Sequence, residues 1–265
     1  MGLTLLTDLF YVPKLGRGAW CVWQRNFLYF RYSIWVSLLW VIVEPILYLL
    51  AIGYGLGTLV GDVQGVSYLE FFTPALMVIS AMLVVFFEST YSTYTKLTRQ
   101  KTFDTVLLTS IGPDEVALGE ILWAASKGLL SASGVALVAW SQGLIRPEHI
   151  VPSLAVVALM CWVFASIGVI FTSTARNYDW FLYAQTIFIM PMYLFAGTYF
   201  PLGVLPELVQ KIALFLPLTH AVMAVRSIVS GEVQASLFLN LAVLFVMAVF
   251  TTNYAVARMR AKLVT

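Results

Sequence analysis

Charge is scarce in this chain. Only 11% of its 265 residues are Asp, Glu, Lys or Arg, against roughly 25% in a soluble domain, which excludes a water-soluble globule. Cysteine is scarcer still: Cys21 and Cys161 stand far apart with no CxxC pair, so neither a disulfide framework nor a zinc site is signalled and both read as packing residues. His149 and His220 are not spaced as a ligand pair, and no metal site is expected. The chain has no Gly-Lys dipeptide, hence no GxxxxGK[ST] phosphate loop, and no GxSxG elbow. No catalytic residues are therefore assigned. The net charge of +2 is too small for a nucleic-acid binder, so no nucleic-acid partner is expected. The first twenty residues lack the basic, apolar and small-residue regions of a signal peptide, and no secretory leader is expected. No internal repeat is evident, which weighs against an inverted-repeat secondary transporter.

Apolar residues are abundant, at 61% hydrophobic and 15% aromatic with a mean hydropathy of +0.90. Six segments reach about the 20 apolar residues that cross a bilayer: 34–57, 71–94, 121–140, 150–172, 180–197 and 237–256. Ahead of them, residues 1–32 read as an interfacial amphipathic segment. Trp20, Trp23, Phe27 and Phe30 recur at three- and four-residue steps with basic residues between them. Residues 198–231 are apolar but broken by Pro201, Pro206 and Pro217 and charged by Glu207, Lys211, His220 and Arg226. They are expected to dip in from the outer face as re-entrant half-helices, covered by protein. Six spans place Lys14, Arg17, Arg25, Arg31, Lys96, Arg99, Lys101, Lys127, Arg176, Arg258, Arg260 and Lys262 inside, twelve of the fifteen basic residues, and leave Arg146, Lys211 and Arg226 outside. The expected fold is an all-α polytopic membrane protein, one domain over 1–265, with both termini cytoplasmic.

The longest charged interruption runs from Phe87 to Lys127 and holds Lys96, Arg99, Lys101, Asp104, Asp114, Glu115 and Glu120. Mixed signs at this density read as a solvated surface that another protein could grip. Glu44, before Pro45, and Glu88 fall within spans, where an ionisable group is expensive. Either could be functional, or could pair with neighbours to lock helices together. Gly53, Gly55 and Gly57 are expected to loosen the outer end of the first span, and aromatics at span ends to form an interfacial belt.

Six stretches in order carry a resemblance: EPILYLLAIGYGLG from Glu44, GVSY from Gly65, FESTYSTY from Phe87, GEILWAASK from Gly119, FPLGVLP from Phe200 and FLPLTHAV from Phe215. With the six-span plan, they resemble the membrane subunits of ABC-2 type exporters, and more closely the nodulation-protein permeases that work with a separate ATPase in lipo-oligosaccharide export. The resemblance implies a homodimer in the bacterial inner membrane with two copies of a nucleotide-binding ATPase. That partner would bind ATP and Mg, and this chain would carry no cofactor and catalyse nothing. It further implies a cytoplasmic coupling helix between spans two and three, placed at 98–113, with Arg99, Lys101, Phe103 and Asp104 as ATPase contacts. The path of an amphiphilic, lipo-oligosaccharide-like or lipid-linked glycan substrate would lie between subunits, with Tyr199, Phe200 and His220 near its exit. A drug exporter of the same family is the alternative substrate class. An ATP-independent channel or transporter, and a membrane-embedded lipid enzyme, are the alternatives outside it.

Overall fold

A computed structural model describes residues 11–14, 16–231 and 235–264. Residues 1–10 and 15 of the expected interfacial segment lie outside the described residues. The chain is an all-α bundle, as expected, with one two-stranded ribbon.

Helix α1 (Gly18–Phe30) passes through a 3₁₀ turn at Arg31–Ser33 into α2 (34–60), whose second half contains a π-helical stretch at Ala51–Leu56. That stretch contains Gly53 and Gly55, at the end expected to be loose. A hairpin pairs β1 (Asp62–Val63) with β2 (Val66–Ser67) around Gln64 and Gly65, both at positive φ. Helix α3 (Tyr68–Thr98) starts from a capping box in which Ser67 and Glu70 satisfy each other's backbone groups. It runs on past the expected end of the second span.

A short helix α4 (Thr102–Leu107) precedes α5 (Pro113–Ser141) and α6 (Pro147–Thr174), each opened by a proline at its first position, where the missing N–H is harmless. Helix α7 covers 179–195 with a π turn at Gln185–Ile189. Pro206 and Pro217 then set off α8 (Glu207–Ala213) and α9 (Pro217–Val229), which meet at 87°. Helix α10 (Ala235–Val264) completes the described chain.

Among the described residues, five helical stretches are long and apolar enough to cross a membrane, or six if the bent pair α8 and α9 is one span. The α7 helix that corresponds to the expected fifth span is shorter than these. The chain runs back and forth between two ends. One carries α4 and most of the basic residues; there Tyr11, Asp114 at the start of α5 and Arg260 near the end of α10 meet. The other carries the hairpin, α8 and α9.

Helix α5 is central and packs against α1, α3 and α6; α6 packs on α10, and α9 is wedged among α3, α6 and α10. Two glycines let this happen. A Cβ on Gly128 would lie 2.2 Å from Val85 and 2.8 Å from Cys161, and one on Gly119 would lie 2.6 Å from Val22. Small residues at such crossings are how helices approach closely in lipid. By contrast α2 and α7 sit at the periphery, where Trp35, Val36, Leu39, Leu182, Tyr183 and Ile187 are exposed.

Candidate functional site

Two helix faces generate the most unusual cluster in the bundle. On α3, Glu88, Ser92 and Lys96 are spaced four residues apart; on α5, Glu120, Trp123 and Lys127 follow at three and four. Both spacings align side chains on one face. The two helices are antiparallel, so the faces meet.

Lys127 Nζ lies 2.7 Å from Glu88 Oε2, and Lys96 Nζ lies 2.7 Å from Glu120 Oε2 and 3.7 Å from Glu88 Oε1. Trp123 Nε1 and the Ser92 hydroxyl donate to Glu88 at 2.8 and 2.9 Å. Glu120, whose side chain is fully buried, also accepts from Asn26 Nδ2 at 2.9 Å, Arg25 Nη2 at 3.3 Å and the Thr93 hydroxyl at 3.3 Å. Three cations thus share two carboxylates, and α1 is joined to α3 through them. The local backbone helps: Glu88–Ser92 forms a π turn, and the Ser89 and Thr90 hydroxyls donate back to the Val85 and Phe86 carbonyls. The cluster lines one wall of a cavity of about 470 Å³ that also touches Tyr29, Phe30, Ser33, Ser37, Gln100 and Thr102.

The charged stretch is therefore only partly a solvated surface. Lys96, Asp114 and Glu120 face inward and are paired, because they belong to helices that run deeper than the expected span limits. Glu88 is ion-paired with Lys127 and Lys96. Glu44 is half-buried on α2 beside Pro45.

The expected coupling segment 98–113 resolves into the end of α3, a turn at 99–101, α4, and a loop that closes at Gly112, the N-cap of α5. Phe103 is fully buried in the main core, with Val106 and Leu107 packed beside it. It anchors α4 and offers no surface to a partner. Arg99, Lys101 and Asp104 are exposed, as is Leu108, at 88%. The Arg99 guanidinium rests 5.6 Å from the Tyr178 ring centroid, beside an aromatic group of Tyr91, Tyr94 and Phe181 that ties α3 to the start of α7. Lys101 adopts a left-handed backbone at φ 49° to turn from α3 into α4.

Next to this segment Glu115 accepts from the backbone N–H groups of Gly18 and Gly112 at 2.9 and 2.8 Å. Asp114 accepts from the Tyr11 hydroxyl at 2.6 Å and the Lys14 backbone at 3.0 Å. Burial first, and then the Asp114 carboxylate, push the Tyr11 phenol above its usual value.

At the hairpin end, the three expected exit residues do not form one group. His220 is buried, with Nδ1 2.8 Å from the Asn240 side-chain amide and Nε2 2.8 Å from the Leu214 carbonyl, so it fastens α9 to α10 and to the α8–α9 bend. The Tyr199 ring lies tilted against Phe72, centroids 5.4 Å apart, and its carbonyl accepts from the Tyr68 hydroxyl; it and Phe200 are half-buried. Arg226, read from sequence as a charge on the broken stretch and one of three basic residues left outside, is the organising residue here. Its guanidinium donates to the Gly197 and Phe71 carbonyls at 3.1 and 3.2 Å and lies 3.9 Å from the Phe71 ring centroid. It borders a cavity of about 900 Å³ at the hairpin end with Glu70, Arg146, Gly197 and Leu202. Among the described residues, no group of three or more His, Cys, Asp or Glu side chains is placed to hold a metal ion.

The sequence model of the ABC-2 type transporter family matches residues 18–230. Over 251 residues the chain is 34% identical to nodulation protein J of Rhizobium leguminosarum bv. viciae, covering 94% of this chain and 97% of that one. Nodulation protein J of Rhizobium meliloti (strain 1021) is 34% identical over 96% of this chain and 98% of its own length. The corresponding protein of Bradyrhizobium diazoefficiens is 32% identical over 95% and 96%. No solved structure matches the chain.

Proposed function

Since the chain belongs to the ABC-2 type transporter family, a family of membrane permeases, we propose that it is the membrane subunit of an ATP-driven exporter, working as a homodimer with two copies of a separate nucleotide-binding ATPase. The basic end of the bundle faces the cytoplasm of a bacterial inner membrane, in keeping with the clustering of Lys and Arg there. ATP and Mg are held by the partner chain, and hydrolysis takes place there.

One observation carries the reading. A six-residue helix, α4, projects Lys101, Asp104 and Leu108 outward while Phe103 roots it in the core. An exposed Leu amid charges, on a helix held by a buried ring, suits a groove in a partner protein. Because α4 is continuous with α3 through Lys101 and with α5 through the Gly112 cap, displacement of α4 is passed to both helices. Through the Glu115 and Glu120 contacts it is passed to α1 as well.

The substrate is an amphiphile with a sugar head and an acyl tail, of the lipo-oligosaccharide or lipid-linked glycan class. The likeness to nodulation protein J favours it over a drug-like compound. The exposed apolar faces of α7 and of α2 from Val43 onward are covered by the second copy, and the substrate path runs between subunits with α8 and α9 capping its outer end.

The test is co-purification and transport with an ATP-binding cassette ATPase that has no spans of its own. An Asp104→Arg, Leu108→Asp double variant is expected to lose the ATPase from the purified complex and to abolish ATP-dependent uptake of a labelled lipo-oligosaccharide into inside-out vesicles. Full complex formation and full transport in that variant overturn the docking role of α4. Uptake by wild-type vesicles that proceeds without ATP overturns the exporter reading itself.

A further inference from the structure

The cavity beside the Glu88–Glu120 cluster is unbalanced in charge. Its walls carry Arg25, Lys96 and Lys127 against Glu88 alone, with Glu120 buried behind Lys96. Counting both carboxylates, the three cations still exceed the anions by one. Arg25 spends Nη2 on Asn26 and Glu120, whereas its Nη1 is buried without a hydrogen-bond partner. A buried guanidinium N–H with no acceptor is a site short of an anion. Ser33, Ser37, Ser92, Thr95, Gln100 and Thr102 give the rest of the cavity a polar lining.

The surroundings specify what kind of anion. The stacked rings of Trp20, Trp23 and Phe27 lie on α1, and Tyr29 and Tyr32 are exposed, which is the aromatic signature of the headgroup level. Helix α2, which lends Ser37 to the cavity, goes on to expose Trp35, Val36 and Leu39, an apolar track on which acyl chains can lie. Basic pockets between membrane helices that are flanked in this way accept acidic lipid headgroups.

We propose that this cavity is a binding site for a phosphodiester anion borne on a membrane lipid, with Arg25 and Lys127 as its principal ligands. A single phosphodiester supplies one negative charge, which matches the excess. The bound lipid joins α1 to α3 and α5 through the cluster, so that occupancy stiffens the basic end of the bundle. The inference goes beyond the export reading and does not depend on which amphiphile is carried.

The experiment uses the full chain, purified in a neutral detergent and delipidated. It is titrated with short-chain phosphatidylglycerol, with phosphatidylcholine of the same chain length, and with inorganic phosphate, while melting temperature and lipid adducts retained in native mass spectra are recorded. Phosphatidylglycerol is expected to raise the melting temperature and to remain as one adduct per subunit. An Arg25→Gln, Lys127→Gln double variant is expected to weaken that binding by about tenfold or more. Retention of phosphatidylcholine to the same degree overturns the proposal. So does unchanged phosphatidylglycerol affinity in the double variant, or inorganic phosphate that saturates the site as tightly as the lipid. Should the double variant fail to fold, Ser37→Trp, which fills the cavity without touching the ion pairs, is expected to exclude the lipid; unaltered lipid binding by Ser37→Trp then refutes the assignment.

Discussion

Replacing Glu120 by Gln changes almost no volume but removes one charge from the centre of the bundle. Lys96 lies 2.7 Å away and Arg25 3.3 Å. At an effective dielectric of about 20, the Lys96 contact alone has a gross Coulomb energy of about 6 kcal/mol. Desolvation offsets a large part of that, and removing one member of a buried pair typically costs about 3 to 5 kcal/mol. Lys96 retains Glu88 at 3.7 Å, which argues for the lower bound, about 3 kcal/mol. The measurement is unfolding in mixed micelles titrated with a denaturing detergent, comparing wild type, Glu120→Gln, Lys96→Met and the double variant. The double variant removes both charges of the pair and is expected to lose only about 1 kcal/mol, since buried pairs replaced together are often close to neutral. The cycle should then show a coupling of about 2 kcal/mol or more. A single variant within about 0.5 kcal/mol of wild type, with additive behaviour in the cycle, would refute the claim that this pair is buried and coupled.

Other expectations follow from the packing. Gly128→Val should destabilise by about 1 to 3 kcal/mol, because its first methyl already overlaps Val85 and Cys161; a melting curve in detergent checks it, and an unchanged melting temperature contradicts the close crossing of α3, α5 and α6. Arg226→Lys should fail to restore what Arg226→Met loses, about 2 kcal/mol, because only a planar fork reaches both the Gly197 and Phe71 carbonyls. Protease sensitivity of the 198–206 loop would report the release. Lys101→Gly should gain up to about 1 kcal/mol by relieving the left-handed backbone at that turn; a loss of stability would argue against that conformation. The Tyr11 phenol titrates above its usual value, so its donation to Asp114 is fully present below about pH 10 and is lost as pH rises through the raised folded value. Hydrogen exchange of the Lys14 amide, which shares Asp114 with Tyr11, should therefore be flat between about pH 6 and 9 after correction for intrinsic rates, and Tyr11→Phe should raise it throughout.

The membrane class, the order of helices and the breaks at Pro206 and Pro217 are legible in the residues, because hydrocarbon thickness and missing proline N–H groups leave few alternatives. The coupling segment is legible in position only. Phe103 is expected as a contact because the resemblance puts the coupling helix there, yet an aromatic beside Val106 and Leu107 has a better place in the core. His220 is expected near the exit because it lies on the broken half-helices, whereas its two nitrogens are used in fastening helices. The cluster around Glu88 and Glu120 had a signal that was open to reading: carboxylate and lysine eight residues apart on one helix and seven apart on the next. What sequence could not supply was the antiparallel register that brings the two faces together, nor the arrival of Arg25 and Asn26 from a helix almost a hundred positions earlier.

That register acts as a vernier. Glu88 opposite Lys127 and Glu120 opposite Lys96 are satisfied in the same alignment of α3 and α5. A slide of one helical turn, about 5.4 Å, would part both pairs at once and strand charges against apolar neighbours. The two helices therefore do not work as pistons. A displacement that reaches them has to tilt or rotate α3 and α5 as a single plank, with α1 held to it by Arg25 and Asn26, while α2 and α7 stay at the edge of the bundle.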